Sequence, residues 1–353
     1  MTATEKDKNA PSDFMVQAAI TYGCILLWIF LSALVIMVNK YVLAYAGFPF
    51  PIALTLTHMA FCAGLAFLII KAGFVAPVNM DTRTYCRNVL PIAALFSGTL
   101  WLGNAAYLYL SVAFIQMLKA TMPVTVFLTG VFLGTEKYSL MYALNMMVVA
   151  VGVGTASYGE LNFNLVGAIF QAGSIVTESF RLCLIQLLLQ ASGIKLNPVT
   201  TLYYVAPACF AFLCIPFTFL ELPRMLRPDT DPATAAVTEE AGLPVGWLML
   251  SAVSAFALNM SVFVLIGRSS ALTMNIAGVL KDWLLIMLSV VLYQSPVAGL
   301  QLFGYGIAFL GVCWYNYQKL KGAQQTLKSS PPPMDQESKP LLSDGSTGNG
   351  QKL

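Results

Sequence analysis

Two lysines stand where a lysine is least welcome. Ser111-Val112-Ala113-Phe114-Ile115-Gln116-Met117-Leu118-Lys119 is apolar enough for a bilayer yet ends in an ammonium group, and Thr273-Met274-Asn275-Ile276-Ala277-Gly278-Val279-Leu280-Lys281 repeats the arrangement in the second half of the chain. Each lysine sits about a turn or two inside a hydrophobic segment, where insertion scales put a cation at roughly 2.5–3.5 kcal/mol. A penalty met twice needs a compensating anion. Two such lysines facing one aqueous cavity would suit a phosphate group on a small molecule.

The other ionisable groups within or at the rim of apolar segments are Lys40, His58, Glu178, Arg181 and Asp282. With His58 neutral, four cations (Lys40, Lys119, Arg181, Lys281) against two carboxylates leave two positive charges. A phosphomonoester or a pyrophosphate-linked sugar carries about that much negative charge near neutral pH. Glu178 and Arg181 are three apart on one helical face, so mutual pairing is the first expectation and contact of Arg181 with a substrate the second. Lys281 and Asp282 are about 100° apart around a helix and do not face one point. One arrangement aims Lys281 at the cavity and leaves Asp282 to bind another cation or tune which anions enter; if Asp282 instead neutralises Lys281, the case for a phosphate weakens. Lys40 is open between an interface anchor and a ligand. His58 is expected to be neutral and hydrogen-bonded to a neighbouring helix, ahead of a proton-relay role. Asn104 and Asn259 either cross-link helices or contact substrate. Tyr204, with Tyr107, Tyr109 and Tyr203, could stack on a base or sugar, although packing competes as an explanation.

These residues sit in a chain that is 58% hydrophobic and 10% charged over 353 positions, where a soluble domain is nearer ~25% charged. The expectation is an all-α polytopic membrane protein. A net charge of +3 spread over tails and loops offers no face for nucleic acid. Seven scattered cysteines without a CxxC pair read as small buried hydrophobes. Gly152 and Gly154 lack the strand-to-helix setting of a dinucleotide site and read as helix packing. With no HExxH, no GxSxG and a single histidine, an enzyme is not expected, nor is a cofactor or a metal.

At ~20 apolar residues per span, ten transmembrane helices are expected, at about 17–38, 50–71, 89–110, 112–133, 139–157, 164–189, 200–221, 244–267, 270–293 and 297–317. Only 222–243 makes a long polar loop. An even count puts both tails on one side. Lys71, Arg83, Arg87, Lys137, Lys195 and Arg268 then share that side with the tail lysines, against Arg224 and Arg227 opposite, so both tails should be cytosolic. Asn259-Met260-Ser261, the lone glycosylation sequon, falls inside the eighth span. Halves 17–157 and 164–319 each carry an asparagine in the third span and a lysine in the fourth. An odd number of spans per half inverts the second copy, the plan of carriers built from inverted repeats with a site at their interface. The domain division is therefore a tail at 1–16, a ten-helix domain at 17–319 and a disordered cytosolic tail at 320–353. In that last tail Glu337-Ser338-Lys339-Pro340-Leu341-Leu342 has the form of an acidic dileucine signal read by an adaptor. The opening dozen residues, with Glu5 and Asp7 and no arginine, do not read as an organelle transit peptide.

Asn104-Ala105-Ala106-Tyr107-Leu108-Tyr109-Leu110 running into Ser111 to Lys119, with Asn39-Lys40 and Gly278-Val279-Leu280-Lys281-Asp282, resembles the triose-phosphate translocator and nucleotide-sugar transporter family of the drug/metabolite transporter superfamily. Arg181-Leu182-Cys183-Leu184-Ile185-Gln186, Leu196-Asn197-Pro198-Val199-Thr200 and Leu202-Tyr203-Tyr204-Val205-Ala206-Pro207 look like its plant and algal Lys-Asp branch of probable sugar-phosphate/phosphate translocators. In plastid members a lysine of the fourth helix and a Lys-Arg pair of the ninth hold the phosphate, beside a threonine and a tyrosine. The resemblance carries the lysines onto Lys119 and Lys281, but puts Asp282 at the arginine, Leu258 at the tyrosine and Gly103 at the threonine. Replacing a bidentate guanidinium by a carboxylate reverses the charge and disfavours exchange of triose phosphate for phosphate.

What the resemblance implies is the drug/metabolite transporter fold and a secondary antiporter. It would exchange a phosphorylated sugar or nucleotide sugar for phosphate or nucleoside monophosphate across an endomembrane by alternating access, without proton coupling or ATP. The expected location is the Golgi membrane, with a later compartment such as the vacuole as the alternative and the plastid envelope disfavoured. The partners implied are a phosphorylated substrate, its counter-substrate and membrane lipid; adaptor binding by the tail and a homodimer are left open. Asp282 sustains a rival reading, a carrier of a non-phosphorylated cationic or zwitterionic solute on the same fold. A non-transporting scaffold is the third reading, and it would not need paired lysines.

Overall fold

The computed structural model describes residues 3–76, 80–136, 138–192, 198–226, 243–266 and 271–329, and every regular element among them is helical. Helix α1 spans Ala3–Ala44 and α2 Pro51–Lys71. A short turn, Thr82–Thr84, and a π-helical turn, Tyr85–Val89, lead into α3, Leu90–Tyr109. Then come α4 (Val112–Lys119), α5 (Met122–Phe132), α6 (Leu140–Tyr158) and α7 (Leu165–Ser192). Helix α8 (Pro198–Pro216) continues through a π turn, Phe217–Glu221, into Leu222–Leu226. The chain closes with α9 (Val245–Ile266), α10 (Ala271–Tyr293) and α11 (Gly299–Ser329).

Among the described residues eight helices are long and apolar enough to cross a membrane, and they fall on the first eight expected spans. The chain is a multi-pass membrane protein. Phe132, Met287, Val291 and Leu310 are each more than 60% exposed, an apolar girdle that would be an aggregation hazard in water and is an interface in lipid. Helices α10 and α11 cover the ninth and tenth expected segments. At both chain ends the rods run further than the apolar pattern: α1 is helical from Ala3 and α11 to Ser329. Glu5, Lys6, Lys8, Gln324, Gln325 and Lys328 are adequate helix formers, so a helix already nucleated in lipid extends into water at little cost. Most of the long polar loop, 227–242, and the dileucine-like segment at 337–342 lie outside the described residues.

The fourth span is expected as one helix, 112–133, and is found as two. Ser111 caps α4 by accepting from Phe114 N at 3.1 Å. At the far end Ala120 N and Thr121 N fall back on Met117 O (3.1 Å) and Leu118 O (3.0 Å). Pro123 has no N–H to return to the carbonyl of Lys119, so the helix stops there and α5 starts with the proline in its first turn. Lys119 thus lies at a break in the span.

Helices pack in pairs: α3 on α7, α1 on α9, α2 on α8, α4 on α10, α5 on α7, α1 on α10, and α6 on α11. The last pair meets backbone to backbone. A Cβ at Gly152 would lie 2.4 Å from Ala308 N, one at Gly304 2.3 Å from Ala156 N, and one at Gly159 2.7 Å from Gln301 N. Gly152 is therefore a packing glycine, whereas Gly154 faces open space. Small residues let the dispersion contacts of two main chains add up where lipid supplies no hydrophobic drive.

Beyond the end of α6, outside the membrane-spanning segment, the buried Glu160 accepts from Gln301 Nε2 at 2.5 Å. Burial pushes its carboxyl above the usual 4.5, partly offset by hydrogen bonds from the Asn162 backbone and Gln301. A raised folded value favours the fold below about pH 4.5, where the group is protonated in both states, and that contribution is lost as pH rises through the folded value.

Two outcomes follow for melting in detergent. Gly304→Ala should destabilise by about 1–3 kcal/mol, whereas Gly154→Ala should be neutral or slightly stabilising; equal melting of the two variants would refute the close-contact account. Glu160→Gln should melt higher than wild type at neutral pH and flatten the decline of stability above pH 4.5, and parallel pH curves for the two proteins would count against it.

Candidate functional site

Lys119 is partly buried on the last turn of α4 and, among the described residues, has no hydrogen bond or ion pair of its own. Its electrostatic neighbours are Asp282 of α10 and Glu178 of α7, and Lys281 is close enough to feel it. Three helices therefore bring the two lysines and both carboxylates into one charged cluster.

The carboxylates are already engaged. Arg181 Nε donates to Glu178 Oε2 at 2.7 Å, a second guanidinium nitrogen donates to Oε1, and the guanidinium lies 4.8 Å above the Phe96 ring. Lys281 Nζ lies 3.4 Å from Asp282 Oδ1 and 5.5 Å above the Trp28 ring. The expectation that these neighbours on one helix point apart is corrected here: the four-carbon stem of the lysine bends its ammonium back to the adjacent carboxylate, the alternative that weakens the case for a phosphate at Lys281 and leaves Lys119 to carry it. At 3.4 Å the contact is a loose ion pair, and the two side chains stay 20% and 30% exposed.

Lys40 is elsewhere. Its Nζ donates to Tyr107 O at 2.7 Å and Leu110 O at 3.0 Å, closing the carbonyl end of α3. It is buried against backbone and not in the cluster. The positive surplus at the cluster is consequently one charge, from Lys119, Lys281 and Arg181 against Glu178 and Asp282, and not the two counted with Lys40 included.

Asn104 belongs to a closed circuit of buried side chains. His58 Nε2 lies 2.7 Å from Ser251 Oγ, Ser251 Oγ donates to Asn39 Oδ1, and Asn39 Nδ2 donates to Asn104 Oδ1 at 3.2 Å. Asn104 Nδ2 then donates to Thr55 Oγ1 (3.0 Å), which donates to Pro51 O (2.7 Å). The serine has one proton and gives it to Asn39, so His58 must carry hydrogen on Nε2. The circuit joins α2, α9, α1, α3 and α2 again. Asn259, by contrast, turns its amide back to Ala255 O at 2.8 Å on its own helix. Tyr204 walls a separate cleft of about 550 Å³ with Phe67, Met80, Tyr85 and Tyr203, and its carbonyl accepts from the Tyr85 hydroxyl at 3.2 Å.

Residues of unremarked sequence complete one end of the bundle. Glu221 accepts from Ile52 N and Ala53 N, both at 2.8 Å, so a carboxylate from one helix caps the exposed N–H groups of another. Tyr293 donates to Met37 O at 2.6 Å, and Ser289 accepts from Ala113 N at 3.2 Å. Phe48 and Phe50 meet edge to face at 5.3 Å in the same apolar cluster as Val42, Leu43, Tyr107 and Leu110. Beside the cluster, Gly103 lies against Ser174, whose Oγ would be 3.0 Å from any Cβ placed there. Glu221 and Ser251 had no recognisable sequence setting, whereas Asn39 stood beside Lys40 and Thr55 lay three residues from His58.

A family model described as the Triose-phosphate Transporter family matches residues 20–316. The chain is 49% identical over 328 residues to a probable sugar phosphate/phosphate translocator of Arabidopsis thaliana, covering 92% of this chain and 91% of the relative. A second Arabidopsis thaliana protein of the same description is 48% identical over 341 residues, covering 94% and 93%. UDP-uronic acid transporter 1 of Arabidopsis thaliana is 30% identical over 289 residues, covering 81% and 91%.

The circuit generates a stability expectation. Asn104→Ala should cost about 1–3 kcal/mol, because Asn39 and Thr55 each lose a partner in a dry interior. Combined with Ser251→Ala, the loss should be smaller than the sum of the two single losses. Strict additivity in denaturant melts would show that the residues do not act as one network.

Proposed function

Because the chain belongs to the triose-phosphate transporter family, we propose that it is a secondary antiporter exchanging a phosphorylated sugar or nucleotide sugar for phosphate or nucleoside monophosphate by alternating access. It is a transporter and not an enzyme. The observation that carries the proposal is Lys119: a cation at a helix break inside the membrane, without a counter-ion of its own among the described residues, near a second lysine whose pairing is loose. A phosphoryl group between them would supply the missing counter-charge, with about one negative charge beyond the single positive surplus. Without it, moving the cluster into a fully closed low-dielectric state is unfavourable, which is why exchange is favoured over one-way release.

Two features support the proposed ten spans in two inverted repeats. Counting α4 with α5 as one span, exchanging each span for the fifth one after it turns the α3–α7 contact into α9–α1, α3–α8 into α9–α2, and α5–α7 into α10–α1, all of which occur. The pairs α2–α8, α4–α10 and α6–α11 map onto themselves. In addition, one end of the bundle is sealed by Lys40, Glu221, Tyr293 and the asparagine circuit, as a carrier open toward the other end requires. The lysine and arginine distribution supports a lumenal sealed end and cytosolic tails, and the family likeness supports the Golgi membrane as the proposed location. One relative's description as a UDP-uronic acid transporter supports the nucleotide-sugar branch of this reading.

The test is counterflow in proteoliposomes loaded with phosphate or with uridine monophosphate. Lys119→Met and Lys281→Met should reduce exchange at least a hundredfold, the loss of roughly 2.7 kcal/mol of binding at the site. Lys119→Met without ligand should melt no lower than wild type, since it removes an uncompensated charge. Full exchange by both variants, or stabilisation by cationic or zwitterionic solutes and by no phosphate compound, would defeat the proposal.

A further inference from the structure

Among the described residues, two buried amides have nothing to bond. Gln116 of α4 and Gln171 of α7 are each 1% exposed, and neither the nitrogen nor the oxygen of either side chain has a hydrogen-bond partner. Buried amides are almost always satisfied, so two such side chains at one depth call for an explanation.

The register sets them at a similar depth. Thr125 of α5 meets Ser179 of α7 at 2.7 Å, a separation of 54 residues, and Cys183 Sγ reaches Val126 O at 3.7 Å, a separation of 57. The span and α7 therefore run parallel, and the same offsets set Gln171 level with residues 114–117, which include Gln116. Gln171 also lies one turn before Ile175 and two before Ser179, on the stripe of α7 that Ser179 turns toward the fourth span. On α4, Gln116 precedes Lys119 by three residues and shares its flank. Unpartnered donors and acceptors thus stand at one depth, a single helical turn from the lysine with no counter-ion.

The chemistry of the two features is complementary. An ammonium suits a phosphate, whereas a neutral amide offers two donors and an acceptor, the match for adjacent hydroxyl groups. We propose that Gln116 and Gln171 bind the hydroxyls of the cargo's sugar while Lys119 binds its phosphate, and that these amides discriminate a sugar compound from bare phosphate. The inference rests on the phosphate reading above. It adds what that reading lacks, a reason for the protein to prefer one phosphate-bearing molecule over another.

The test uses the purified full-length chain and calorimetric titration with inorganic phosphate, pentose monophosphates, hexose monophosphates and UDP-sugars. Wild type should bind at least one sugar compound about tenfold or more tightly than inorganic phosphate. Gln116→Leu and Gln171→Leu should keep phosphate affinity within about twofold but lose about tenfold to a hundredfold on that sugar compound. Both variants should melt no lower than wild type without ligand, because removing an unpaired buried amide relieves desolvation. Unchanged sugar affinity, equal loss on phosphate and sugar compounds, or a sharp fall in ligand-free melting of both variants overturns the assignment. Wild type binding phosphate but no sugar compound more tightly overturns it and leaves the phosphate reading standing; wild type binding no phosphate-bearing compound overturns both.

Discussion

An ammonium group held inside a membrane span without a carboxylate of its own is the constraint around which this molecule is arranged. Lys119 is tolerated because the span breaks immediately after it: Pro123 interrupts the hydrogen-bond ladder, and α4 ends with its last carbonyls, the negative end of a helix dipole, beside the charge. The nearby carboxylates soften the field without satisfying it, since Glu178 is held by Arg181 and Asp282 by Lys281. A bundle that neutralised every cation internally would have no affinity left for an anion.

The same principle, charge satisfied by backbone, works in the opposite sense at the sealed end. Lys40 and Glu221 are a cation and an anion buried in apolar surroundings, and each is bonded to main-chain groups that a helix terminus leaves over. Their charges strengthen the closure of the bundle and are not available to a ligand. The two lysines therefore differ in setting: Lys40 is buried and bonded to carbonyls at a helix end, whereas Lys119 is partly buried and stands beside other charged side chains.

Much of this arrangement could be read from the residues. The apolar runs located eight spans that the helices reproduce, the odd lysines of the fourth and ninth segments singled out the charged cluster, and the spacing of Glu178 and Arg181 foretold their pairing. What could not be read depended on three-dimensional reach. Periodicity treated 112–133 as continuous because a proline two residues past the break lies in an apolar run that is otherwise uniform. The angular argument for Lys281 and Asp282 ignored the length of a lysine side chain. Lys40 stayed open between an interface anchor and a ligand because a sequence does not say which carbonyls end nearby. Ser251 and Gln171 carry no local signal, since one serine or glutamine in an apolar helix looks like any other until its neighbours are known.

The circuit from His58 through Ser251, Asn39, Asn104 and Thr55 to Pro51 passes hydrogen in one direction around four helices. Each member has a single orientation compatible with its two neighbours, so parting any one helix strands groups on the others. Such a closure does not crack by degrees; it holds entirely or releases entirely. Under the alternating access proposed above, a barrier with that property would keep stray protons and small ions from seeping through while the cargo is awaited, and would make the rare opening a discrete event with a definite rate.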